Sequence, residues 1–222
     1  MRVLVACEES QAVCLAFREK GHEAYSCDIE PCSGGRPEWH IQDDVTKYLT
    51  DNWDMMIAFP PCTHIALSGA AWFENKRKNG RQQNGIEFFM TIYNAPIGKK
   101  AIENPVGIIS GGGYLGKWYP DLVEKYGLPK KYTQIIQPYY FGDEAQKTTC
   151  LWLQNLPCLV HVKEKDLFYD TITHVGKGEM VEFKSGKRMA KWYDTLRADK
   201  NRGGIRSKTF PGIAKAMADQ WG

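Results

Sequence analysis

The chain has 222 residues, 43% of them apolar and 25% charged, with a formal net charge of +3. These figures suit one globular domain with its own core and exclude a disordered or fibrous chain. No apolar run approaches the length of a membrane span, and the charges in "ACEESQAV" argue against a leader peptide.

"RVLVA" (2–6) reads as a first strand, and "SQAVCLAFREKG" as a helix closed by Gly21. "HEAYSCDI" (22–29) predicts a second strand around Asp28. "HIQDDVTKYL" (40–49) predicts a short strand and then a turn opened by Asp. "WDMMIA" (53–58) is another strand, "GIEFFMTIYNA" (85–95) an amphipathic helix, and "KKAIENP" (99–105) a further strand. "SGGGYLGKWYP" (110–120) reads as a glycine-rich loop. "YTQIIQPYYFG" and "TTCLWL" read as two strands, antiparallel across "DEAQK". Residues 157–205 show weak periodicity, and "TFPGIAKAMADQWG" is a turn followed by a helix. Strands alternating with helices imply an α/β fold with a doubly wound, mostly parallel sheet. The expected division is a core over 1–156, a small basic region over 157–205 and a helix within 206–222 that returns to the core.

The seven cysteines (7, 14, 27, 32, 62, 150 and 158) include no Cys-x-x-Cys pair. That pattern argues against a zinc ribbon or disulfide scaffold and for a reducing cytoplasm, and no metal is expected. Charge is concentrated: residues 184–208 carry +7, leaving −4 for the rest. Lys187, Arg188, Lys191, Arg202 and Arg206 lie in this run, with Trp192 and Tyr193 among them. Cations interleaved with aromatics suit a nucleic-acid strand, and equally a solvated surface.

The sharpest chemistry lies in "IAFPPCTHIALSG" (57–69). Pro60 and Pro61 end a buried strand and set Cys62 on a stiff bend at the sheet's C-terminal edge, where ligands bind in open α/β sheets. "AIENP" puts Glu103 and Asn104 at the same edge of another strand. A thiol and a carboxylate at two strand ends form a plausible pair for covalent catalysis, and each alone also suits a structural role.

"DMMIAFPPCTHIALSG" resembles the Pro-Cys segment of DNA (cytosine-5)-methyltransferases, and "IENP" is similar to their Glu-Asn-Val segment. "YYFGDEAQKTTCLWL" and "SKTFPGIAKAMADQW" follow in the family's order. Over nearly the whole length the chain resembles the short cytosine methyltransferase-like proteins of bacteriophages and prophages. The resemblance implies a Rossmann-like fold, S-adenosylmethionine as methyl donor and DNA as partner. It implies Cys62 as the nucleophile on carbon 6, Glu103 against ring nitrogen 3 and the amino group, and Asn104 holding the loop. A base in a duplex is flipped out to reach such a pocket. The cofactor falls to Ala6, Cys7, Glu8, Glu9 and Ser10 of the first loop, Pro60, Asp28 for the ribose hydroxyls and Asp44 for the adenine amino group. Asp44 also fits as a helix cap.

The chain departs from that pattern in three places. No glycine occurs before Gly21, so the first loop holds Glu8 and Glu9 where the family has a glycine-rich turn. Thr63 follows the cysteine, and "QKTT" (146–149) lacks the family's arginines. Lys76, Arg77 and Arg81 in "ENKRKNGRQQNG", with Lys147, are the expected phosphate contacts beside the site, on a loop read as a moving lid. Two other readings keep these residues: a pyrimidine nucleotide or single-stranded nucleic acid as substrate, or a non-catalytic module binding nucleic acid or a host protein.

Overall fold

The structure, a computed structural model, describes the chain except residues 111, 166–168, 187, 197, 198, 200 and 201, and except the side chains of 110, 112, 202 and 203. Five strands run parallel: β1 (Arg2–Ala6), β2 (Glu23–Asp28), β3 (His40–Gln42), β4 (Met55–Ala58) and β5 (Lys99–Asn104). β6 (Gln134–Ile136) and β7 (Thr149–Gln154) complete the sheet, with β7 antiparallel to both β5 and β6. The order across is β3-β2-β1-β4-β5-β7-β6. It departs from the Rossmann order 3-2-1-4-5-6 only through the inserted reversed strand. The expected doubly wound, mostly parallel α/β sheet is present.

The central strands are buried on both faces, as their unbroken apolar runs require. Alternate residues face opposite layers. Val3, Val5, Met55 and Ile57 pack with α1 (Ala12–Glu19) and α8 (Pro211–Trp221), through Phe17, Met217 and Trp221. Leu4, Ala6, Met56, Ala58 and Ile102 face Phe89 and Met90 of α3 (Arg81–Tyr93) on the other side. Lys100 is buried and closes the end of α3 by donating from Nζ to the carbonyls of Tyr93 (2.8 Å) and Ala95 (2.5 Å).

Two stretches expected to be loops are helical. "SGGGYLGKWYP" contributes α4 (Gly112–Trp118), and α5 (Pro120–Tyr126) follows, because Leu115, Tyr119 and Leu122 share a buried stripe. The expected lid is α2 (Phe73–Lys78), a break at Gly80 (φ 76°), and the first turn of α3. The described residues within 176–207 include a hairpin of β8 (Met180–Glu182) and β9 (Arg188–Ala190), then α6 (Lys191–Thr195) and α7 (Arg202–Ser207).

Candidate active site

β4 and β5 end beside each other, with Ala58 opposite Ile102. β5 therefore overhangs by two residues, Glu103 and Asn104, which pair instead with Leu151 and Cys150 of β7. Asn104 is buried and donates from Nδ2 to the Pro60 carbonyl at 2.8 Å, fixing the bend before Cys62. Beyond the strands, Leu67 N–H donates to Val106 (3.0 Å) and Ile108 N–H to Ile65 (2.9 Å), and an antiparallel bridge joins Ala66 to Gly107. A Cβ on Gly107 would lie 2.5 Å from the Ile65 carbonyl oxygen, so only glycine permits this approach. The Pro-Cys and Glu-Asn segments are thus one stapled unit.

Cys62 is half-buried. Burial pushes its thiol pKa up most and the Glu103 carboxylate adds to this, while the Lys147 and Arg206 cations pull it down. Glu103, Lys147 and Thr149 share a crevice with Phe59, Thr209 and Phe210 that has room for about one water. Among the described residues neither Glu103 nor Lys147 makes an ion pair, and the two side chains line the same crevice. Lys147, expected among the phosphate contacts, lies in the β6–β7 connection and lines the crevice. His64 lies beside this unit, its pKa lowered by burial and by Lys76 and Arg81, and its buried Nδ1 has no partner.

The second half of the site lies between the C-terminal ends of β1 and β4, where strand order reverses and ligands of open α/β sheets bind. Ala6 is paired to Ala58 and Cys27 here, and Pro60 is buried alongside. In the glycine-less loop, Cys7 and Gln11 both take left-handed backbone (φ 59° each). Such residues cost roughly 1–2 kcal/mol each, a strain that glycine would avoid.

Glu8 is one of the first-loop residues expected at the cofactor. It is buried and turned inward, accepting from Val13 N–H (2.6 Å) and Cys14 N–H (3.1 Å) at the start of α1. The amides that would hold an incoming anion are satisfied by the chain itself. Glu9 stays partly exposed, 3.9 Å from Lys208 Nζ, which also donates to Ser33 Oγ at 2.9 Å. Ser10 backs onto Gly34, where a Cβ would meet the Ser10 carbonyl oxygen at 2.6 Å.

Asp28 and Asp44 both raise the pKa of the half-buried Cys7 thiol, after desolvation itself, so their carboxylates lie near it. Asp44 also accepts from Thr46 N–H at 2.9 Å, making it a cap as well. Ile29, next to Asp28, is 71% exposed at this edge. Sequence reasoning passed over it, and an apolar residue ending a strand gives no other signal.

The basic residues are dispersed. Lys76 Nζ donates to the Thr63 carbonyl (2.7 Å), and Arg77 donates to Tyr114 Oη (2.7 Å) and stacks 4.1 Å from the Trp118 ring. Arg81 is exposed. Arg188 lies 4.0 Å from Glu182, Lys191 pairs with Glu179, and Arg206 stacks 4.0 Å from the Tyr193 ring while reaching Cys62 electrostatically. Lys187 and the side chain of Arg202 lie outside the described residues. Among the described residues no helix is long and apolar enough to cross a membrane, and no cluster of metal-ligating side chains occurs.

No protein-family model matches the chain, and no curated protein does. Among solved structures, it is similar to a candidate DNA modification methyltransferase encoded within a prophage of E. coli. The likeness has 15% identity and a TM-score of 0.42, over 69% of this chain and 46% of that one, so this chain spans less than half of that protein's length.

Proposed function

We propose that the chain transfers a methyl group from S-adenosylmethionine to carbon 5 of cytosine in DNA, with Cys62 as nucleophile. The observation that supports this reading is that Glu103 and Lys147 line one crevice at the sheet edge and both act electrostatically on the nearby Cys62 thiol. The Cys62 thiolate forms a bond to carbon 6, and the ring's 5,6 electron pair shifts towards carbon 5, nitrogen 3 and the carbonyl oxygen. Glu103 accepts from the exocyclic amino group and supports a proton on nitrogen 3, while Lys147 faces the developing negative charge at the carbonyl. Carbon 5 would then take the methyl group as the methyl's bond to the donor sulfur breaks, that electron pair leaving a neutral thioether. Carbon 5 next loses its proton to a base, and the Cys62 sulfur–carbon bond breaks to restore the thiolate. The ring enters when Thr209 and Phe210 give way, since the crevice as built has room for about one water.

The cofactor supplies an electrophilic methyl group on a cationic sulfur. The residues at the β1–β4 crevice fit its nucleoside end: Asp28 and Asp44 offer acceptors for hydroxyl and amino protons, and Ile29 an apolar face. The acidic rim also fits a cation. Glu8 on the α1 amides leaves no cradle for phosphates, which argues against a dinucleotide there.

The test is incubation with methyl-labelled donor and mixed-sequence DNA, followed by digestion to nucleosides. Label should appear as 5-methyldeoxycytidine and vanish in Cys62→Ala. Label on an exocyclic nitrogen, retained in Cys62→Ala, would overturn the mechanism. β8 and β9 have three residues each and offer little surface for base readout. That favours a second reading, a single-stranded or nucleotide substrate, which the same assay separates by substrate form.

A further inference from the structure

Gln82, in the first turn of α3, is completely buried. Its carboxamide is bonded at both ends. Oε1 accepts from the phenols of Tyr114 and Tyr119 at 2.9 Å each, and Nε2 donates to the His64 carbonyl at 3.2 Å. Arg77 donates to the Tyr114 oxygen in turn (2.7 Å), so the donors all point one way, from the guanidinium to that carbonyl. Bonds aligned like this polarise and strengthen one another. The carboxamide has one workable orientation, since a flip would set its oxygen against the His64 carbonyl.

His64 stands two residues after Cys62, in a turn whose Cys62 carbonyl accepts from Ile65 N–H (3.0 Å) and Ala66 N–H (2.9 Å). Two residues before Cys62, the Pro60 carbonyl accepts from buried Asn104. The thiol is therefore flanked along the chain by two carbonyls, each held by the N–H of a buried carboxamide. A Cβ on Gly85, one turn along α3, would already touch Ile65 (3.4 Å) and His64 (3.5 Å), so the helix lies directly against this turn. Packing alone does not call for a glutamine here. Apolar residues in place of Gln82, Tyr114 and Tyr119 together would leave no partner unpaired among the three, a change that can be nearly neutral for stability. They would leave the His64 carbonyl unheld.

We propose that Gln82 is a positioning residue for the nucleophile, closing from the far side the clamp that Asn104 places before the Cys62 bend. The inference rests on Cys62 as the nucleophile of the reaction proposed above. A misplacement of about 1 Å can cost about 100-fold in rate, so fixing the bend from both sides bears directly on turnover.

The experiment measures alkylation of Cys62 by iodoacetamide across a pH series, with the modified cysteine located by peptide mass spectrometry. Tyr114→Phe with Tyr119→Phe removes the donors to Oε1 and keeps the His64 bond. Adding Gln82→Met removes that bond too, with no buried phenol left unpaired. The triple variant should alkylate Cys62 several-fold faster and with a lower pH midpoint, because the burial that holds this thiol's pKa up is relieved. The double variant should stay close to the native rate. Gln82→Glu alone, still able to accept from both phenols, should reproduce the rise where its carboxyl has ionised, since no donor then reaches His64. Buried Cys14, Cys27 and Cys150 report on folding in the same digests and should remain protected. Turnover should fall about tenfold or more in kcat, with little change in KM for DNA.

A rate and midpoint unmoved in both Gln82 variants overturn the inference. So does an equal rise in the double variant, which would assign the effect to the tyrosines. So does labelling of the three buried cysteines alongside Cys62, which would make Gln82 a folding residue. Methyl transfer is read separately with labelled donor. Its absence from the native chain, beside Gln82 variants that change Cys62 alone, would fail the proposed reaction and leave the clamp standing.

Discussion

Glu8 is buried, with both carboxylate oxygens on α1 amides, and burial outweighs those bonds so that its pKa is pushed up from 4.5 to about 7. Between these values the folded chain keeps a proton that the unfolded chain has released. This group's contribution is therefore full below about pH 4.5 and is lost as pH rises through about 7. The loss amounts to about 3 kcal/mol at most. Glu8→Gln should flatten that slope, read as the difference between urea midpoints of the two chains from pH 5 to 8; parallel curves would refute the assignment. Lys147 and Arg206 pull the Cys62 thiol down against burial and Glu103. Lys147→Gln should thus move the pH midpoint of Cys62 alkylation upward, and an unmoved midpoint would place the Lys147 charge elsewhere. Glu103→Gln should cut methyl transfer about 100-fold without lowering thermal stability, by separating acid–base support from folding. In calorimetry, Asp28→Ala should weaken S-adenosylmethionine binding at least tenfold; equal binding would remove Asp28 from the site.

The loops after β4 and β5 function as one element, and Gly107 is the point where they touch. Gly107→Ala should cost about 1–3 kcal/mol and reduce methyl transfer more than tenfold, because a Cβ there forces the Ile65 carbonyl away. Differential scanning calorimetry and the labelled-donor assay check the two halves separately. All seven strands of the main sheet were legible, since apolar runs such as "RVLVA" and "DMMIA" end at turn residues or prolines. The facing of Cys62 and Glu103 was legible for a simple reason: parallel strands share a C-terminal edge. α2 and α4 were not, because "ENKRK" and "GGYLGK" lack a sustained apolar period and take their helicity from tertiary packing. The inward turn of Glu8 was hidden for a similar reason, since its partners Val13 and Cys14 become donors only once α1 exists. Lys147 depends on hairpin geometry that no local pattern encodes.

At the scale of the molecule, the described residues of the basic run do not form a single stripe. Lys191 is paired with Glu179, Arg206 turns to Cys62 and Lys208 folds back to Glu9, while Lys184 stays exposed. Lys184→Gln should therefore flatten the salt dependence of DNA binding by about one phosphate contact, and Lys191→Gln by less. Equal slopes for the two would contradict the pairing. The packing of α1 against α8 carries a different consequence, for synthesis. Val13 and Phe17 are covered by Ile213, Met217 and Trp221, so the second helix of the pair is made long after the first. Until residues 211–221 emerge, one face of β1 and β4 stays unsealed. A growing chain can assemble the parallel strands but cannot close the layer over them, and that pairing of distant segments slows folding. Nascent chains stalled before residue 211 should accordingly be held by chaperones, and chains whose residues 211–221 have been extruded through an added C-terminal linker released.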